Sequence, residues 1–260
     1  MQLFDTHAHL DQADFDADRG DVIARARAAG VENVISIGTT AATSAVCVRL
    51  AADFAGVYAA VGMQPNYIAE AEPGDWDRIV ALAGEPGVVA IGETGLDRHW
   101  DFTPFEVQQD YFDRHIRLAE ERRLPFVVHM RDCDDDILAM LRDAHNRGPL
   151  VGVMHSFTGS RAMAAECLAM GLYVSFAGMV TYKKSDELRA IAAIVPDDRI
   201  LLETDAPYLS PEPVRKIKRN EPAHVRHTAA CLAEVRGVTL ETFAAQTTAN
   251  ARRLFLPTTA

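Results

Sequence analysis

The sequence predicts a closed, eight-stranded α/β barrel of the TIM-like (β/α)8 type, and three features of its 260 residues predict it. Short apolar, β-branched runs recur along the chain. Each is followed by an amphipathic stretch with helical periodicity. The side chains best suited to holding a metal ion fall at the carboxyl ends of the runs. The runs lie at residues 3–5, 33–37, 57–61, 88–92, 125–129, 151–155, 172–176 and 200–203. Several are apolar at consecutive positions, as in Val88-Val89-Ala90-Ile91 and Ile200-Leu201-Leu202, which suits strands covered on both faces. Strands alternating with helices make βαβ units. Eight such units in this length fit a barrel better than a doubly wound sheet, and no Gly-x-Gly-x-x-Gly follows the first run, which removes the usual dinucleotide-binding reading.

The helical stretches cover residues 21–29, 43–54, 75–83, 104–123, 134–146, 161–170 and 186–195, with one or two closing helices over 223–256. Thr103-Pro104 offers a cap residue followed by proline at a first helical position, and Gly30 and Gly171 sit where helices should stop. Residues 206–222, rich in proline and basic residues, form the longest irregular stretch, a length that points to function. No linker, low-complexity tract or internal repeat interrupts residues 1–260, so one domain is expected.

The formal net charge of −11 argues against a protein that coats nucleic acid, because such surfaces are normally basic. Any phosphate capture must be local. The apolar runs are too short to span a membrane, and the N-terminus lacks the basic and apolar regions of a secretory signal. Cys47, Cys133, Cys167 and Cys231 are widely spaced, as reduced residues of a cytoplasmic protein would be. No obligate protein partner is implied.

His7 and His9 end the first run, Glu93 the fourth, His129 the fifth, His155 the sixth and Asp205 the eighth. That end of the strands is the face where barrel enzymes keep their chemistry. Residues i and i+2 of a strand point the same way, so His7 and His9 can grip one ion. His7 and His9 with Asp205 and Glu93 make one expected site, and His129 and His155 with Glu93 a second. Glu93 bridges because a carboxylate can ligate two ions about 3.5–4 Å apart. Two divalent ions, Zn2+, Mg2+ or Mn2+, fit this mixed imidazole and carboxylate set. A lone histidine at a strand end is usually an ordinary hydrogen-bonded residue; the convergence of six ligands carries the assignment. His99, His115, His145, His224 and His227 read as surface residues, and Cys133 lies too far along its turn to be a ligand.

These motifs resemble the TatD family of metal-dependent hydrolases along essentially the whole chain. They are D-T-H-A-H-L-D at the start, G-E-T-G-L-D at residues 92–97, H-M-R at 129–131, H-S-F-T-G at 155–159, E-T-D-A-P-Y-L at 203–209 and R-N-E-P at 219–222. The resemblance implies a TIM-like barrel, two divalent metals and phosphodiester hydrolysis, commonly of DNA from a 3′ end. It maps the family's ligands onto the same six residues and suggests supporting or substrate roles for Asp97, Arg131 and Glu203. Gln64 is a departure, since many members carry histidine there; glutamine can hydrogen-bond a phosphate or water but ligates metal poorly.

In the implied mechanism Asp205 accepts the attacking water's proton, and Arg131 grips a phosphate oxygen through its guanidinium fork or else pairs with a neighbour such as Asp132. All four lysines lie between residues 183 and 218. Lys183 and Lys184 follow the seventh run; Lys216 and Lys218, with Arg215 and Arg219, occupy the loop after the eighth. Barrel phosphate sites are frequently built from those two loops, so a basic patch beside the mouth is expected to bind DNA or another phosphodiester, the alternative being solvated charge. Tyr67, Trp100, Phe102 and Tyr182 fall in loops near the mouth, where they could stack bases or pack the rim. Two other functions compete. A barrel amidohydrolase or deacylase is open only in a Glu-bridged form, since no lysine precedes Lys183 to bridge metals at the fourth strand. A non-catalytic metal-binding module would be marked by a broken ligand set, and this set is intact.

Overall fold

The runs pair in chain order as one parallel sheet: β1 (Leu3–Ala8), β2 (Val31–Ile37), β3 (Val57–Val61), β4 (Val88–Asp97), β5 (Phe126–Arg131), β6 (Gly152–Met154), β7 (Tyr173–Phe176) and β8 (Ile200–Leu202). The computed structural model describes residues 1–256. Helices α1 (Arg19–Ala28), α2 (Ala41–Asp53), α3 (Asp75–Leu82), α4 (Phe105–Arg122), α5 (Asp134–Arg147), α6 (Arg161–Ala169) and α7 (Asp186–Ala192) return the chain between successive strands. The closing region is two helices, α8 (Val225–Arg236) and α9 (Leu240–Phe255). The architecture is a TIM (β/α)8 barrel. No helix among the described residues is long and apolar enough to cross a membrane.

Two apolar layers hold it. Strand residues such as Phe4, Ile35, Val127, Val153 and Leu201 cluster with Ala251, Leu254 and Phe255 of α9. The last helix thereby plugs the barrel where the strands begin, leaving the opposite end open. The larger cluster packs the helices against the outer face of the strands.

The seam between β8 and β1 closes by polar contacts. Beyond β8 the chain pairs with the end of β1: the Asp205 amide donates to His7 O (2.9 Å), and the His9 amide donates to Ala206 O (2.7 Å). Below these bonds, the buried Asp5 carboxyl group accepts the Thr204 amide (2.9 Å) and pairs with the Thr204 hydroxyl (2.5 Å). Burial pushes the Asp5 carboxyl up to about 8, opposed by those hydrogen bonds.

Three local expectations differ from the structure. Strand β4 runs on to Asp97 instead of ending near Gly92. Between the pairs Ile91–Phe126 and Thr94–Val128, β4 spends one residue more than β5, a bulge that re-aims Glu93. Gly95 permits the close approach: its φ is +136°, and a Cβ there would lie 2.0 Å from His129 O. Thr103 does not cap α4; its hydroxyl accepts the Ala69 amide (3.2 Å), and Pro104 stands immediately before the helix. His115 is buried rather than on the surface, with Nε2 accepting the Met63 amide (2.9 Å), and burial pushes its pKa down to about 4.

Replacing Asp5 with Ala orphans the Thr204 amide and hydroxyl at the seam. A buried group left without its partner costs about 1–3 kcal/mol, so urea unfolding of Asp5→Ala should show a loss of about 3 kcal/mol. Asp5→Asn, which keeps an acceptor oxygen, should lose less. A variant within about 0.5 kcal/mol of the parent, the range of a neutral surface change, would remove Asp5 from the seam.

Candidate active site

The open end of the barrel gathers the six expected ligands around the buried Glu93 carboxylate. Its Oε2 lies 3.5 Å from His7 Nε2 and 3.7 Å from His9 Nε2. Its Oε1 lies 2.8 Å from His129 Nδ1 and 3.2 Å from His155 Nε2. One oxygen thus serves each histidine pair. Asp205 Oδ1 closes the first group, 3.6 Å from His7 Nε2 and 3.4 Å from His9 Nε2. Donor atoms of His7, His9 and Asp205 lie within 4.8 Å of one another, as do those of His7, Glu93 and His155. His7 and His155 stack with ring centroids 4.0 Å apart, which draws His7 toward both groups. His129 touches Glu93 but stands outside those two tight sets.

Partners behind the rings decide which nitrogen faces inward. His9 Nδ1 bonds Ile37 O (3.1 Å), and His129 Nε2 bonds Asp97 Oδ2 (3.0 Å). His155 Nδ1 lies 3.3 Å from Glu203 Oε1, which accepts the Ser156 amide (2.6 Å). Such partners fix the tautomer and orientation of metal-ligating imidazoles. Asp97 and Glu203 therefore stand behind the rings of His129 and His155. Asp97 also receives Asn66 Nδ2 (2.9 Å) and the amides of His99 (2.8 Å) and Trp100 (3.2 Å). Gln64 lines the cavity while its Oε1 accepts the Asn66 amide (2.8 Å).

The electrostatics fit a cation. No lysine or arginine among the described residues pairs with Glu93 or Asp205, whose charges face imidazoles alone. Burial opposes charge on His9, but Asp205 and Glu93 outweigh it and raise its pKa to about 9. Burial likewise opposes charge on His155, and Glu93 and Glu203 lift it well above the usual imidazole range. Burial would raise the Glu93 carboxyl; His155, His129 and His7 instead hold it well below the usual range.

The mouth is a cavity of about 560 Å³ lined by His9, Glu93, His129, His155 and Asp205 together with Arg131, Tyr67, Trp100 and Tyr208. Arg131 has no carboxylate partner among the described residues; Asp132 pairs with His99 instead (3.1 Å). The basic residues lie elsewhere. Lys183, Lys184, Lys216 and Lys218 are exposed, and none lines the cavity. Lys184 edges a neighbouring groove, Arg215 stacks on Tyr182 (3.9 Å), and Arg219 pairs with Asp18 (2.7 Å). Asp5, Asn66, Tyr208 and Asn220 escaped sequence reasoning. Asn220 Nδ2 ties the long loop to Thr204 O (3.0 Å) and Tyr208 O (2.7 Å), so the R-N-E-P motif is architectural here.

Comparison with known proteins agrees with this geometry. The family model described as TatD related DNase matches residues 4–256. The uncharacterized metal-dependent hydrolase YabD of Bacillus subtilis is 40% identical over 97% of this chain and 98% of its own. The 3′-5′ ssDNA/RNA exonuclease TatD of Klebsiella pneumoniae is 39% identical over 97% of each. A crystal structure of a TatD homologue from Escherichia coli K12 superposes with a TM-score of 0.90 at 30% identity, covering 97% of both chains.

Because His9 and His155 hold protons near neutral pH, a divalent cation must displace them to bind. Below a pKa of about 9 the proton on His9 competes increasingly with the metal, so affinity falls as pH falls. Calorimetric titration with Mn2+ at neutral pH, in buffers of differing ionisation enthalpy, should register proton release. The apparent affinity should drop about tenfold per pH unit for each proton displaced. Binding without proton release, at constant affinity from pH 6 to about 9, would contradict this charge assignment.

Proposed function

This chain belongs to the TatD-related DNases, metal-dependent hydrolases, and on that premise we propose that it cleaves phosphodiester bonds of DNA from a 3′ end using two divalent ions. The observation that carries the proposal is the division of the Glu93 oxygens, one toward His7 and His9 and one toward His129 and His155. In this reading His7, His9 and Asp205 hold one ion, His129 and His155 the other, and Glu93 both. When bound, the ions would supply a water that ionises near neutral pH and would neutralise charge on the phosphate.

The remaining work falls to the chain's own groups. Asp205 presents Oδ1 to His7 and His9, which leaves Oδ2 for the proton of the attacking water. Burial would raise its carboxyl, but His9 and His7 hold it ionised and ready to accept. Arg131, unpaired at the rim, takes a non-bridging phosphate oxygen. Gln64 Nε2 donates to the phosphate or to a water beside it. Lys183, Lys216 and Lys218 lie outside the cavity, so the part left for them is steering the polyanion from a distance. The relative from Klebsiella pneumoniae, named as a 3′-5′ exonuclease of single-stranded DNA and RNA, supports both substrate and polarity.

Asp205→Asn keeps an oxygen for coordination and loses the proton acceptor. With metal content verified, its turnover of a 5′-labelled single strand should fall about 10²–10⁴-fold while KM changes little. The parent enzyme should shorten that strand from its 3′ end and leave 4-nitrophenyl phosphate and simple amides largely intact. Near-normal turnover by the variant would move the base elsewhere, and preferential amide cleavage would replace the phosphodiesterase reading with an amidohydrolase one.

A further inference from the structure

The exposed aromatic side chains of this protein gather at one place. Tyr67 (41% exposed), Trp100 (44%), Phe102 (59%) and Tyr208 (49%) are the only aromatics among its exposed large hydrophobic residues, at least among those described. Three of them line the mouth cavity. The fourth, Phe102, lies parallel to Trp100, with ring centroids 5.3 Å apart and planes inclined by 8°. An exposed apolar cluster usually marks a binding surface.

The pair is anchored to the catalytic centre. Asp97 Oδ1 accepts the Trp100 amide (3.2 Å), while Oδ2 of the same carboxylate bonds His129 Nε2 (3.0 Å). The Trp100 backbone is therefore tied to the same carboxylate that holds His129. Arg131 stands beside them, its guanidinium carbon 5.9 Å from the Trp100 ring centroid, and lines the mouth as well. Arg131 and Trp100 thus line the mouth together with the metal ligands, and Phe102 extends the flat apolar face of Trp100. A nucleotide has the matching parts, a phosphodiester and a base.

We propose that Trp100 and Phe102, with Arg131, form a stacking subsite for an unpaired base next to the scissile phosphodiester, which selects single strands over duplex. Every base has a π-face, so the platform tolerates any sequence; in a duplex those faces are covered by neighbouring pairs. The subsite lies on the loop after β4 and at the end of β5, so the strand leaves the mouth over that side and not toward the lysines after β7 and β8. The proposal rests on the phosphodiesterase reading above.

The test compares the metal-loaded parent with Trp100→Ala, Phe102→Ala and Trp100→Phe on three substrates: the single strand dT10, the duplex of dT10 with dA10, and bis(4-nitrophenyl) phosphate. Stacking on an aromatic side chain contributes enough that KM for dT10 should rise about tenfold in either alanine variant. That loss should exceed the loss on the small diester by about the same factor. Preference for dT10 over the duplex should shrink, and Trp100→Phe should recover most of it. Equal losses on dT10 and the small diester would mean that the rings only support the fold, and an unchanged KM for dT10 would mean that no base stacks there; either overturns the subsite and leaves phosphodiester hydrolysis standing. A parent enzyme that cleaves the small diester but neither form of dT10 would overturn the nucleic-acid reading and the subsite together.

Discussion

One buried carboxylate with four imidazoles around it sets the terms for the rest of this protein. Glu93 and Asp205 bring negative charge into a pocket where no lysine or arginine among the described residues answers it. Charge removed from water is tolerated only when it is paired and hydrogen-bonded. In the absence of a cation, protons on His9 and His155 meet that requirement, which is why burial fails to keep either ring neutral. The same arrangement then favours a divalent ion, which meets it better than protons do. Stability of the centre and readiness to bind metal are one electrostatic fact.

The barrel is built to deliver those side chains. The bulge in β4 turns Glu93 inward, and Gly95 lets β4 lie against β5 at the level of His129. At the seam, backbone pairing of residues 205 and 206 with His7 and His9 sets Asp205 beside the first histidine pair. Asp5 and Thr204 hold that pairing from below, and Asn220 ties the long loop to the same stretch. Behind the rings, Asp97 fixes which nitrogen of His129 faces inward, and Glu203 lies beside His155. Asp97 reaches further, since its other oxygen holds the Trp100 backbone and joins the rim to His129. α9 closes the far end, so access is confined to the ligand side.

The barrel and the ligand cluster were legible in the sequence because both rest on short-range periodicity. A buried parallel strand is written as consecutive apolar residues, and a residue that reaches the barrel mouth stands where such a run ends, as His129 and His155 do. What stayed hidden depends on contacts between distant segments. Nothing around Asp5 announces Thr204, nearly 200 positions away, and nothing around Asn66 announces Asp97. His115 read as a surface residue because its helix is largely polar, yet it falls on the face shared by Phe112, Ile116 and Ala119 and takes a backbone amide from the loop after β3. Thr103 looked like a helix cap because Pro104 follows it, but its hydroxyl answers Ala69. The lysines fell in the right loops for a phosphate site; loop membership does not fix position at the mouth, and none of them lines the cavity.

The central claim is that the two oxygens of Glu93 serve two separate ion sites. Metal stoichiometry tests it most directly, by elemental analysis of the parent and of Glu93→Gln after reconstitution with Zn2+ or Mn2+ and removal of free metal, with folding checked by circular dichroism. The neutral amide keeps the size of the carboxylate and removes the charge that both histidine pairs face. The account predicts about two ions per chain in the parent and a marked loss at both sites in the folded variant, the behaviour of a two-metal centre with a shared ligand. A folded Glu93→Gln protein that keeps full occupancy of both sites, or a parent that saturates at one ion, would contradict it.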